Sequence, residues 1–157
     1  MKRIVIFALM ITLVATGLAL GAMKGSADVV KATPSPAAVS SAPGERVSFK
    51  VKLDIQKKWH IYAHEDTNFI GVDLVPDEGF VLKDFQAEYP AGHKKEFFGD
   101  MVFMIEGKDV ITASALVPAE LPAGEHELAF SVTVQACDDK MCLAPSYLPV
   151  TVKLTVE

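Results

Sequence analysis

Only two cysteines, Cys137 and Cys142, occur in 157 residues. That scarcity excludes a disulfide-dense mini-scaffold and a four-cysteine zinc site. Positive charge is also short. Fifteen Lys and Arg stand against 20 Asp and Glu, a formal net charge of -5, so no basic field exists to draw nucleic acid as a partner. Flavin and dinucleotide fingerprints are missing, as are internal repeats and any helical stripe after position 44. What the chain has is apolarity: half of it is hydrophobic, and mean hydropathy is +0.29. Collagen-like and disordered classes are thereby excluded, and the length suits one domain with an appendage.

Much of the apolarity lies at the start. Lys2 and Arg3 precede an uninterrupted apolar run from Ile4 to Ala22, and no acidic residue appears before Asp28. This pattern predicts export by residues 1–22, either as a secretory signal cut after Gly21, Ala22 or Ala27, or as an uncleaved anchor long enough to span a bilayer. No cysteine follows the run, which excludes lipid modification there. Either outcome places the domain outside the cytoplasm, in a compartment that permits disulfides. Residues 23–44 are rich in Ala, Ser, Pro and Val without usable periodicity and read as a flexible linker. The folded domain is then expected over 45–157.

From Glu45 onward the hydrophobic period is two. Val47, Phe49, Val51, Leu53 and Ile55 alternate with polar residues, as do Leu128 to Val134 and Val150 to Val156. Weaker strand patterns cover 59–62, 71–75, 80–88, 101–106 and 110–116, separated by Pro, Gly and Asp turns. Seven to nine short strands without helices predict an all-β fold, an immunoglobulin-like antiparallel β-sandwich.

The cysteines lie between two of the strongest strands, in Gln135-Ala-Cys-Asp-Asp-Lys-Met-Cys-Leu-Ala-Pro145. Their spacing allows a bridge if the loop turns back on itself, and three readings are open. A structural staple closing about six residues would contribute roughly 2 kcal/mol, a small gain for a domain that already buries a core. A redox pair would sit in a loop that partner thiolates can reach. Asp138 and Asp139 oppose thiolate formation and Lys140 favours it, so the bridge reads as an acceptor attacked by a partner's activated thiolate. Copper held by His60, His64, Met101, Met104, Met141 and the cysteines is the third reading, but no histidine follows Cys142 as a blue-copper pattern would require.

Three segments resemble, in order, a known family: Trp59-His60-Ile61-Tyr62, Glu96-Phe97-Phe98-Gly99 and Cys137 to Pro145. The body from Glu45 to Glu157 resembles the periplasmic N-terminal domain of the thiol:disulfide interchange protein DsbD. The resemblance implies an immunoglobulin-like fold with one redox-active pair, Cys137 and Cys142. Cys142 would form the mixed disulfide with partners, Phe97 would be the aromatic of a cap over the bridge, and Tyr62 and Glu96 would line the site. Implied partners are thioredoxin-like periplasmic proteins, including disulfide isomerases and cytochrome c maturation thioredoxins, with no cofactor and no metal. The sequence as given carries neither the family's membrane electron conductor nor its thioredoxin domain, so a membrane electron donor acting in trans is expected. Departures are one residue fewer between the cysteines than in the best-known members, His60 where an aromatic is common, and Phe98 in place of a tyrosine. A non-catalytic β-sandwich binding module with a structural disulfide is the alternative.

Overall fold

The structure, a computed structural model, describes residues 24–66 and 68–157. The expected export segment, residues 1–22, lies outside them. A half-buried strand needs an apolar side chain at every second position, and this requirement accounts for the strongest strands. After one 3-10 turn (Ser26–Asp28) come β1 (Val30–Ser35), β2 (Ala38–Ser41), β3 (Arg46–Ile55), β4 (His60–Tyr62), β5 (Asp73–Pro76) and β6 (Lys83–Glu88). They are followed by β7 (His93–Phe97), β8 (Asp100–Glu106), β9 (Lys108–Leu116), β10 (Gly124–Val134) and β11 (Ser146–Val156).

Two four-stranded sheets, β1-β3-β9-β6 and β2-β11-β10-β5, form an immunoglobulin-like sandwich. All their pairings are antiparallel except β2 with β11, which is parallel. Phe49, Val51 and Leu53 of β3 and Leu128, Phe130 and Val132 of β10 belong to one buried core. Phe130 is its centre, with Phe49, Phe80 and Phe85 rings 5.1, 5.2 and 5.6 Å away. A third, smaller sheet, β4-β8-β7, carries Tyr62 and Phe97.

The linker expected over residues 23–44 is corrected by the structure. Val29 and Val30 are 1% exposed in the core, β1 pairs with β3 from Val30↔Ile55 to Ser35↔Lys50, and β2 lies along the end of β11. Both are edge strands with few fully buried positions: in β1 only Val30 is buried and Pro34 interrupts the pattern, and no residue of β2 is fully buried. Shallow burial lowers hydrophobic contrast, and Pro is tolerated because an edge need not donate on both sides. β7 escaped the strand pattern for a related reason: in His-Lys-Lys-Glu-Phe only Phe97 is buried.

Candidate functional site

Asp138 shapes the loop between β10 and β11. Its carboxylate accepts the Lys140 and Met141 N–H groups at 2.8 and 2.9 Å, and its own N–H donates to the Met141 carbonyl at 2.9 Å. The two amides hold this carboxyl below the usual carboxylate range. Asp138 is thus committed to the turn, which brings Cys137 and Cys142 opposite each other, Cα atoms 4.0 Å apart, in a disulfide. The loop is braced from below by Ser26. Its hydroxyl donates to the Ala144 carbonyl at 2.8 Å and accepts the Ala136 N–H at 2.9 Å, so one buried side chain ties both ends of the cysteine turn.

Burial divides the two sulfur-bearing residues. Cys137 is 0% exposed and packs in a second cluster with Tyr62, Phe97, Val102 and Met104, against which Phe69 and Cys142 also pack. Cys142 is only half-buried. The loop is therefore less open than its sequence implied, with one cysteine reachable and the other enclosed.

β4 passes beside the turn. The His60 N–H donates to the Cys137 carbonyl and the Cys137 N–H to the His60 carbonyl, both at 3.0 Å. Alternation puts His60 and Tyr62 on one face, with the Tyr62 hydroxyl 3.4 Å from His60 Nε2. Burial, with the Asp66 carboxylate second, pushes the Tyr62 phenol up to about 12. It therefore stays protonated and able to donate.

The segment expected to cover the bridge is a hairpin of β7 and β8. Phe97 pairs with Asp100, leaving Phe98 and Gly99 as a two-residue turn with φ of 50° and 90°. Positive φ at both positions is what the right-handed strand twist demands of such a turn, and Gly99 meets it freely. Phe97 turns inward, 7% exposed, its ring 5.0 Å from His60, 5.7 Å from Phe69 and 6.3 Å from Tyr62. Phe98 points outward at 70% exposure.

Of the residues singled out from sequence, Cys137, Cys142, Tyr62 and Phe97 come together. Glu96 does not: it is exposed on β7, and as the neighbour of Phe97 its side chain lies on the other face of the strand. The metal candidates are dispersed. His60 is enclosed by aromatics, whereas His64 stacks on Tyr89 with ring centroids 3.8 Å apart and donates to the Val72 carbonyl at 2.9 Å. Met101 and Met141 are exposed, and Met104 is buried.

Phe69 was missed. Its ring stacks on Tyr62 at 4.3 Å and 7°. Asp66 holds it there by accepting the Asn68 and Phe69 N–H groups at 2.9 and 3.1 Å and that of Phe103 at 2.9 Å. The Asp-x-Asn-Phe turn signal was present in the sequence, but nothing local said what the ring would cover.

The family profile described as thiol:disulfide interchange protein DsbD, N-terminal, matches residues 27–153. No curated protein matches the chain. Among solved structures, the N-terminal periplasmic domain of ScsB from Proteus mirabilis aligns with a TM-score of 0.54 at 9% identity, over 81% of this chain and 44% of that one. The chain thus spans less than half the length of that structure. A family 123 glycoside hydrolase from Clostridium perfringens aligns at a TM-score of 0.41 and 7% identity, over 82% of this chain and 28% of that one. A fimbrial protein of enteroaggregative Escherichia coli gives 0.41 and 15%, over 82% and 99%. The matched segment runs from the Ser26 brace's neighbour, Ala27, through Tyr62, Phe97 and both cysteines, and the chain belongs to the DsbD N-terminal family.

Proposed function

We propose that this domain relays reducing equivalents between thioredoxin-like partners through Cys137 and Cys142. The observation that carries the reading is the unequal burial of the two cysteines beneath an aromatic cap. A partner thiolate attacks Cys142 Sγ, the Sγ–Sγ bond breaks, and Cys137 leaves as thiolate. The partner's second thiol then attacks its own sulfur in the mixed disulfide, which frees Cys142 and oxidises the partner. The electron pair now rests on the cysteine pair, and protons from solvent complete the two thiols. In the reverse sense Cys142 attacks a downstream disulfide and Cys137 resolves it. Phe97 keeps small thiols and oxidants from the bridge until a docking partner displaces the hairpin. Tyr62 is a wall of the same site. Export by residues 1–22, periplasmic residence and an electron donor at the membrane complete the reading.

The decisive experiment is a trap. Cys137→Ser, left with the lone Cys142 thiol, should form a mixed disulfide with an oxidised thioredoxin-like domain, detectable by mass. Cys142→Ser should trap far less because Cys137 is enclosed. Failure of both variants to trap, together with a reduction potential below about -300 mV, would identify the bridge as a structural staple in a binding module.

A further inference from the structure

When the disulfide opens, Cys137 must carry negative charge at a site with no exposed surface. An unpaired buried thiolate is costly, so a nearby donor or cation is needed. Lys140 does not meet that need, because it lies on the exposed turn. His60, 2% exposed, is placed to meet it on the strand that pairs with Cys137.

The placement follows from two pairings. His60 and Cys137 exchange both backbone hydrogen bonds, as a hydrogen-bonded antiparallel pair does, with Cα atoms typically ~5.5 Å apart and side chains on one face. On its other side His60 pairs with Glu106 of β8. Cys137, His60 and Glu106 therefore form a row across three neighbouring segments, a disulfide sulfur, an imidazole and a half-exposed carboxylate that also lies 3.4 Å from His93 Nε2. Phe97 covers His60 edge-on at 5.0 Å, and the Tyr62 hydroxyl faces Nε2 at 3.4 Å. With the phenol donating to Nε2, a neutral ring carries its proton on Nδ1.

We propose that His60 stabilises the Cys137 thiolate as it leaves, by donating a ring N–H to the sulfur and by taking up a proton from solvent as the bridge is reduced. The proposal rests on the exchange reading above. The step balances. The partner thiolate supplies the electron pair, the Sγ–Sγ bond breaks, the pair departs on Cys137 Sγ, and the proton taken from solvent stays on the His60 ring as the cation of an ion pair with that thiolate. The groups facing the imidazole are Tyr62 on its own strand, Glu106 on β8, Lys95 on β7, and Cys137, Asp138 and Asp139 on the cysteine turn. In the disulfide form burial outweighs the carboxylates and keeps the ring neutral at pH 7. A new thiolate beside it adds an opposite charge and pulls the proton on.

Two measurements test this. First, the His60 imidazole is titrated by NMR in the disulfide and reduced chains. Its pKa should be higher by about one unit in the reduced chain, and equal values overturn the proposal. Second, single-turnover reduction by dithiothreitol is followed from pH 5 to 8, each rate divided by the reagent's thiolate fraction. The corrected rate of the wild type should rise as pH falls, whereas His60→Phe and His60→Gln should be flat. At pH 8 His60→Gln, which keeps a donor, should react faster than His60→Phe. Parallel profiles in all three proteins overturn the role of His60. The wild-type titration needs no substitution, so a variant that fails to fold does not remove the test. If Cys137→Ser traps a partner while the titration shows no redox dependence, only this inference fails. If nothing is trapped but His60 responds to reduction, the relay reading fails alone.

Discussion

Phe97 and Phe98 are neighbours with opposite surroundings, and the difference predicts opposite phenotypes. Phe97 closes the ring around Tyr62, His60 and Phe69. Its truncation to Ala should cost about 3 kcal/mol, the low end for a buried aromatic, and should raise the rate of disulfide reduction by dithiothreitol severalfold in the folded protein. Unchanged rates would remove the cap from the account. His60 carries a second expectation. Burial lowers its pKa in the folded chain from 6.5, so as pH falls below that value the unfolded chain takes up the proton first. Stability should therefore decline from pH 6.5 downward and level off once the folded protein also protonates. Urea midpoints for wild type and His60→Phe, compared at pH 8 and pH 5, isolate this contribution, because the remaining groups titrate in both. An equal acid loss in the two proteins would contradict it.

The cap hairpin and the cysteine turn each solve a local backbone problem. The β7–β8 turn requires φ > 0 at both central residues, yet Phe98 occupies the first, at 50°. A bulky side chain there stores about 1 kcal/mol or more of strain, and Phe98 is solvent-facing apart from its contact with Phe97, 4.4 Å between ring centroids. Phe98→Asn gives the Asn-Gly pair such turns favour and should raise stability by about 1 kcal/mol in urea titration, with the Phe97 packing unchanged. A loss of stability would mean that the Phe98 ring contributes more than its backbone costs. The cysteine turn depends on Ser26, 110 and 118 residues away from the groups it bonds. Ser26→Ala leaves the Ala136 N–H and Ala144 carbonyl without that partner, a cost of about 1–3 kcal/mol, and should accelerate amide exchange at Ala136. Protection equal to wild type would show that the brace is dispensable.

The segment that composition marked as a spacer proves to be part of the sandwich and the support of the site. Gly25 bridges Ala144, so the chain enters the domain beside the disulfide. A protein beginning at Glu45 would lose β1, β2 and the Ser26 brace, and should show no cooperative urea transition near the wild-type midpoint. Retention of that transition would restore the linker reading. Strand identity was legible wherever one face is buried and the other wet, because a period of two then appears directly in β3, β10 and β11. It faded at sheet edges, where one side chain or none is fully buried, as in β1, β2 and β7. The cysteine pair was legible from its spacing and turn residues, which are local, whereas Tyr62 and Phe97 were legible only through the family resemblance. The inequality of the two cysteines and the row of Cys137, His60 and Glu106 were not legible, because they join residues far apart in the chain, and the stacking of Phe69 on Tyr62 depends on how the loop after β4 folds back. Sequence determines the alternation and the chemistry each residue carries, but only the pairing of β4 with β8 and with the cysteine turn decides which groups share a buried face.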